Sequence, residues 1–215
     1  MMLSMEDFPT DNHGWSELLP PRLAVGSIQG AHRVPWVIVG GGLTGLACAR
    51  RLAELYPNDE VLLLDARLIG QGASGRNSGF AVGVSHFPGP YKIQDKENID
   101  RVNRINQAGL ALLDQQITSQ SIHCQWDNSG FHHGAADTLS INEHIHFVNY
   151  LDAIGAEHNN LNQDDLKGRF GTSLYKAGVH VKTGALVQPA ALVRGLANNI
   201  PSNVRLIENC PVLKV

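Results

Sequence analysis

A glycine pattern between two apolar runs is the feature that most constrains how this chain folds. Gly40, Gly42 and Gly45 form a G-x-G-x-x-G pattern. The pattern directly follows the β-branched run 36–39, and apolar residues recur at helical spacing after it, up to Tyr56. Such a run predicts a strand buried on both faces, and a strand that enters a glycine turn and then a helix begins a β-α-β unit.

The second strand of that unit is predicted at Val61–Leu64, directly before Asp65. In units of this type the glycines allow a tight turn, the close approach of a pyrophosphate and close packing of helix on strand. The helix N-terminus offers free N–H groups and a partial positive charge to phosphates. The Asp65 carboxylate can accept hydrogen bonds from ribose hydroxyls, and its charge disfavours NADP. The spacing predicts a dinucleotide site, the alternative being a purely structural glycine-rich turn.

Composition excludes several other classes of protein. Of the 215 residues 43% are hydrophobic, which is enough to form a core and argues against disorder. The net charge of −3 gives no basic footprint for nucleic acid, and the apolar runs are too short to span a membrane. Three widely spaced cysteines do not suggest a disulfide framework. We therefore expect a cytoplasmic protein with no transmembrane segment and no nucleic-acid partner.

The remaining patterns predict an irregular N-terminal arm and a mixture of helices and strands. The arm, residues 1–34, is rich in proline, and Trp15, Leu18 and Leu19 could anchor it. Helices are predicted at 94–120, from the capping-box pair Ser140 and Glu143 to about Ala153, and at 189–197. Strands are predicted at 123–127 and 131–134 (a hairpin around 128–130), 175–182, 204–208 and 212–215. On the first of these helices, one apolar face is predicted from Ile99, Val102, Ile105, Leu112 and Leu113.

Two other kinds of chemistry are alternatives to the dinucleotide site. The pairs His132-His133 and His144-x-His146 suggest metal binding, but no cysteine or carboxylate completes a ligand set, so surface histidines are favoured. No nucleophile-elbow pattern supports a hydrolase. Cys48 lies in the first helix of the β-α-β unit, where a small buried thiol is expected.

A second glycine- and serine-rich segment gives the most specific signal. Residues 69–80 read IGQGASGRNSGF. Together with the stretch 37–47 and Leu64-Asp65-Ala66, this segment resembles the D-amino-acid oxidase and glycine oxidase family of FAD-dependent oxidoreductases, above all the branch containing γ-glutamylputrescine oxidase. The resemblance implies FAD as cofactor and oxidation of the carbon–nitrogen bond of an amine or amino acid. Electrons would pass to O2 or, in the alternative of a flavin dehydrogenase, to a quinone.

The resemblance also implies which residues contact FAD. They lie in the first glycine turn, at the end of the second strand, in the 69–80 segment and near residue 212. The candidate contacts are Gly40, Gly42, Leu43, Thr44, Gly45, Asp65, Ala66, Arg67, Gly72, Ala73, Ser74, Arg76, Asn77, Ser78 and the backbone of Val212. No catalytic residue and no metal ligand is assigned, and the oligomeric state stays open.

The implied fold is α/β: a Rossmann-like FAD-binding domain into which a partial α+β substrate domain is inserted. The expected boundaries are the arm at 1–34, FAD-binding segments at 35–90 and 183–215, and the substrate domain at 91–182. Members of the family are longer than this chain, so the resemblance implies an N-terminal fragment whose C-terminal half is absent. We expect such a fragment alone to be inactive, or to act only in binding FAD.

Overall fold

The structure is a computed structural model that describes residues 13–85 and 90–214, so residues 1–12 of the expected arm lie outside it. The chain divides into two units. The first contains the described residues up to Gly79, the segment Gln116–Cys124 and the described residues from Gln188 onward. The second contains Phe80–Gln115 and Gln125–Val187.

Helices and strands alternate along much of the described chain. The helices are α1 (Gly14–Glu17), α2 (Leu43–Leu55), α3 (Ala73–Arg76), α4 (Lys96–Ser119, preceded by a 3-10 turn at Ile93–Asp95), α5 (Thr138–Ile154), α6 (Gln163–Phe170) and α7 (Pro189–Asn198). The strands are β1 (Trp36–Val39), β2 (Val61–Leu64), β3 (Phe80–Val82), β4 (Phe131–Ala135), β5 (His158–Asn162), β6 (Ala177–Val181), β7 (Gly184–Leu186) and β8 (Val204–Ile207).

The first unit is built on a three-stranded parallel sheet in the order β1-β2-β8. Val61 on β2 pairs with Trp36 on β1 and with Val204 on β8, so β2 is the central strand. Val61 and Leu63 are fully buried, which is why this strand is apolar without alternation. The predicted β-α-β unit and the α/β fold class are confirmed. The prediction that β1 is buried on both faces is wrong: it lies at the edge of the described sheet, and Val37 and Val39 are 55% and 57% exposed.

Helix α7 supports the same unit and was also predicted. Pro189 occupies its first turn, where the missing proline N–H costs nothing, and the Gln188 side chain caps it by accepting from the Ala191 N–H at 2.7 Å. Leu192 and Val193 are buried along its length. The helix therefore forms part of the unit's core.

The second unit contains an antiparallel sheet in the order β4-β6-β5 and the separate pair β3-β7. Val179 and Val181 on β6 are fully buried and belong to one core cluster with Phe147 and Leu151 of α5. Gly155, in the left-handed conformation at φ 67°, ends α5, as Gly commonly does at a helix C-terminus.

The predicted hairpin around 128–130 is wrong. Gly130 does turn the chain, with φ 76°, but Phe131 on β4 pairs with Val181 of β6, and Asp127 makes an isolated bridge to Leu186. The two partners lie 50 and 59 residues away along the chain. The turn signal was local, whereas strand pairing was decided by distant apolar partners.

Two predicted helices need correction in detail. Helix α5 begins at Thr138, because Asp137 is its N-cap and accepts from the Ser140 N–H at 2.8 Å, so Ser140 is the third helical residue. On α4, Ile99 is buried, but Ile105 and Leu112 are 62% and 58% exposed. The buried face instead includes a polar residue, Asn103, whose amide donates to the Tyr150 hydroxyl at 2.8 Å.

Three further expectations fail. Residues 211–214 form no strand, and Val215 lies outside the described residues. His144 is 8% exposed, and its ring stacks against that of the half-buried His133. These two histidines are therefore not the surface residues that were expected. Cys48 is exposed, because the buried side of α2 is formed by Leu46, Ala49 and Ala53.

Candidate functional site

The first glycine turn joins β1 to α2 in a conformation that only glycine adopts easily. Gly40 has φ 99°, and its N–H donates to the Leu64 carbonyl at 2.7 Å. A Cβ placed on Gly45 would lie 1.8 Å from the Gly40 carbonyl oxygen. The third glycine of the pattern is therefore needed for the helix to pack against the turn.

The N-terminus of α2 is open above this turn. Gly42 is the N-cap, and its carbonyl accepts the first helical hydrogen bond from Leu46 at 2.9 Å. Within residues 13–85 and 90–214, no acceptor is positioned for the N–H groups of Thr44 and Gly45. These two donors, with the positive end of the helix dipole, form an arrangement that suits a phosphate.

A second glycine turn repeats the geometry of the first. This repeat was not predicted. Gly70 has φ 91°, and a Cβ on Gly75 would lie 2.0 Å from the Gly70 carbonyl oxygen. Gly72 caps α3 at φ −86° and ψ −174°, close to the −76° and −176° of Gly42. The signal was present in the sequence, because residues 70–75 also read G-x-G-x-x-G.

The two turns contact each other through Ser74. Its hydroxyl accepts from the Leu43 N–H at 3.0 Å, and a Cβ on Gly42 would lie 2.7 Å from the same oxygen. The structure thus brings together Leu43, Gly42 and Ser74, which the sequence analysis had placed in separate segments.

Asp65 stands at the end of β2, beside the first turn. One carboxylate oxygen accepts from the Gly41 N–H at 2.7 Å and the other from the Arg67 N–H at 2.8 Å. Each oxygen of an ionised carboxylate has a second lone pair, so further donors such as hydroxyl groups can still bind. The structure places Ala66 directly after Asp65, in the same bend.

The remaining candidates lie in or beyond the second turn. Arg76 donates through Nε to the Gln71 carbonyl at 2.8 Å, and the Asn77 side chain donates to the Ser74 carbonyl at 2.9 Å and accepts from the Gly79 N–H at 2.9 Å. These bonds hold the turn in shape. Ala73 and Ser78 are exposed on it.

The position of Val212 near the other candidate residues follows from a contact of its neighbour Cys210. Cys210, two positions before it, donates its N–H to the Asp65 carbonyl at 2.8 Å. Among the described residues none makes a hydrogen bond to the Val212 backbone. The chain after β8 therefore passes the end of β2 with the polar groups of Val212 open.

Three structural features of the first turn suit the pyrophosphate of a dinucleotide. Its backbone has positive φ at Gly40, a side chain at Gly42 would fill the approach to Ser74, and two N–H donors of α2 are open. The carboxylate of Asp65 follows the neighbouring strand, where the sugar of an adenosine would lie. The residues present therefore fit such a cofactor.

This fold and these turns define a dinucleotide-binding protein of the Rossmann type. A model of the family described as FAD dependent oxidoreductase (DAO) matches residues 35–215. The chain belongs to this family, whose members use FAD.

Individual relatives agree with this assignment. The chain is 25% identical over 190 residues to a probable oxidoreductase, OrdL, of Haemophilus influenzae, covering 82% of this chain and 41% of that protein. Among solved structures, glycine oxidase from Geobacillus kaustophilus has a TM-score of 0.68 at 19% identity, covering 83% of this chain and 47% of that one. L-Amino acid deaminase from Proteus myxofaciens has a TM-score of 0.65 at 17% identity, covering 88% and 42%.

At these identities the solved structures show a shared fold. The chain spans less than half the length of each of these three proteins.

Two features are absent from the described residues. None of their helices combines the length and apolar character needed to cross a membrane. No group of three or more His, Cys, Asp or Glu side chains in the described part of the chain is arranged to hold a metal ion.

Proposed function

We propose that the protein to which these residues belong oxidises the carbon–nitrogen bond of an amine or amino acid, with FAD as its cofactor. The single observation that carries the proposal is the pair of glycine turns joined by Ser74, in a chain of the FAD dependent oxidoreductase family. The names of the glycine oxidase and the L-amino acid deaminase among the structural neighbours support the substrate class.

We propose that FAD is held at the edge of the first unit's sheet. The open N–H groups at the start of α2 would bind the pyrophosphate, and Asp65 would accept from the ribose hydroxyls. The second turn would extend this cradle along the cofactor, and the Val212 backbone would meet the adenine. The full proposed set is Gly40, Gly42, Leu43, Thr44, Gly45, Asp65, Ala66, Arg67, Gly72, Ala73, Ser74, Arg76, Asn77, Ser78 and Val212.

When bound, the flavin supplies the capacity to take two electrons from the substrate, while the protein supplies binding, orientation and electrostatics. The substrate would become an imine, which water hydrolyses to a carbonyl compound and ammonia or a smaller amine. The part played by this chain's turns is to fix the cofactor. No catalytic residue is proposed among these 215 residues.

The boundaries 35–90 and 183–215 for FAD binding and 91–182 for the substrate side also remain our proposal. So does a reducing, cytoplasmic setting, which is supported by the odd number and wide spacing of the three cysteines, Cys48, Cys124 and Cys210.

The first experiment measures flavin retention. The purified chain is saturated with FAD, desalted, and its visible absorption recorded, with the Gly42→Val variant as the control for binding at the first turn. Retained flavin in the parent and none in the variant supports the proposed site. Equal retention in both contradicts it.

The second experiment measures the reaction in the full-length protein. A panel of amines and amino acids is tested anaerobically for bleaching of the flavin absorption, and O2 consumption is compared with reduction of a soluble quinone. Bleaching by at least one amine supports C–N oxidation, and the preferred acceptor distinguishes an oxidase from a dehydrogenase. Bleaching only by substrates that lack an amino group contradicts the proposal.

A further inference from the structure

The N-terminal arm makes side-chain hydrogen bonds to the second glycine turn. The Trp15 indole Nε1 donates to the Asn77 carbonyl at 2.9 Å, and the His13 ring Nε2 lies 3.0 Å from the Gly70 carbonyl oxygen. These carbonyls bracket the turn, one at each side of α3. Of the three anchors predicted for the arm, Trp15 and Leu19 are half-buried, whereas Leu18 is 74% exposed and does not serve as one.

Trp15 is itself held by the body of the first unit. Its carbonyl accepts from the Gln188 side-chain Nε2 at 2.8 Å. Gln188 is 3% exposed, its own N–H donates to the Cys124 carbonyl at 2.8 Å, and its Oε1 caps α7. A buried side chain with every group engaged is a rigid support, so Trp15 is fixed between α7 and the turn.

A later part of the arm is held by a second anchor, the carboxylate of Glu208, which directly follows β8. This carboxylate is fully buried and accepts from Arg22 Nε at 2.7 Å, from the Val25 N–H at 2.9 Å and from the Ile69 N–H at 2.5 Å. Ile69 is the residue that leads into the second turn. The arm and the start of the turn are thus tied to the same buried charge.

We propose that arm residues 13–25 form a strap that positions the second glycine turn for the dinucleotide, with Trp15 as the positioning residue. The cofactor part of this inference rests on the proposed function. Trp15 acts through the Asn77 carbonyl, and no direct contact of Trp15 with the cofactor is needed.

The physical reason is the glycine content of the turn. Gly70, Gly72, Gly75 and Gly79 fall within ten positions, and glycine loses more conformational freedom on ordering than other residues. A turn that is only partly populated in its binding conformation weakens the apparent affinity by that fraction. Loss of the strap's hydrogen bond is expected to weaken FAD binding about three- to tenfold.

The test compares Trp15→Phe with Trp36→Phe, since each variant removes one indole donor from the first unit. Trp36 donates to the Asp59 carboxylate at 3.1 Å, and it lies at the start of β1, at the end of the strand away from Gly40. Hydrogen–deuterium exchange of peptides covering residues 70–79 is measured on the purified chain without FAD. The dissociation constant for FAD is then measured by equilibrium dialysis.

Faster exchange of 70–79 in Trp15→Phe than in Trp36→Phe, with FAD affinity lowered only in Trp15→Phe, supports the strap. Unchanged exchange in Trp15→Phe overturns it, whatever happens to FAD. Faster exchange with unchanged FAD affinity overturns its role toward the cofactor. If the parent chain binds no FAD, the two variants are compared in the full-length protein. Absence of FAD binding there contradicts the proposed site, and exchange alone then decides whether the strap holds the turn.

Discussion

The hydroxyl of Ser74 accepts a hydrogen bond from the backbone N–H of Leu43, with the two atoms 3.0 Å apart. One side chain of the second glycine turn therefore satisfies one of the donors that the start of α2 would otherwise leave open. The next two donors, on Thr44 and Gly45, stay open toward the proposed phosphate position. The second turn thus completes part of the first while leaving its binding groups accessible.

Ser74→Ala is expected to lower the free energy of unfolding by about 1 kcal/mol, because the Leu43 N–H loses its acceptor. Urea unfolding without FAD measures the change. Ser119→Ala is the matched control, since that hydroxyl makes only an exposed 3.4 Å bond to the Gln116 carbonyl. Equal effects of the two substitutions would show that the turns are not joined as described.

Gly42→Val is expected to weaken FAD binding by about tenfold or more, because its Cβ would lie 2.7 Å from Ser74 Oγ, where the backbone must stay accessible. Equilibrium dialysis gives the dissociation constant. Gly109→Ala in α4 is the control: a Cβ there meets nothing within 4 Å, so affinity should stay unchanged. Helix propensity should raise the stability of the Gly109 variant by up to about 1 kcal/mol. Undiminished binding by Gly42→Val would mean that the site lies elsewhere.

Arg22→Met is expected to cost about 3 kcal/mol of stability, because it leaves the Glu208 carboxylate buried without its charge partner. Arg51→Met removes a comparable ion pair with Glu54, but both side chains of that pair are largely exposed, so the cost should stay below about 1 kcal/mol. Chemical unfolding of the two variants measures the difference. Similar small losses would argue that Glu208 is not buried in solution.

The stability of the second unit is expected to fall in mild acid because of His144. Burial lowers the pKa of this imidazole below its usual 6.5, so the unfolded chain binds a proton that the folded chain resists. The stability that the neutral His144 ring contributes to the folded state is complete above about pH 6.5. It is lost as the pH falls through that value toward the lowered pKa.

The variant His144→Leu cannot titrate at this position. Its unfolding free energy should therefore drop less than that of the parent between about pH 7.5 and about pH 5. Urea unfolding at the two pH values measures both drops. An identical pH dependence in variant and parent would exclude His144 as a source of acid sensitivity.

How far the sequence predicts the site depends on the distance between interacting residues. The first turn was predictable because its strand, glycines and helix follow one another within the chain, and each has a local pattern. The contact of Ser74 with Leu43 was not, since the two residues come from separate segments. The Trp15 bond to Asn77 was not predictable either, because the arm has no periodic pattern that would indicate its contacts.

The sequence by itself determined the β1-α2-β2 unit, helix α7 and the glycine turn, because the apolar period and the φ requirements of glycine act over a few residues. Only the tertiary structure decided that Phe131 pairs with Val181, that Asn103 is buried, and that the second glycine turn packs on the first. Strand partners and buried polar pairs depend on which distant surfaces come together to exclude water. No local sequence pattern predicts which surfaces these are.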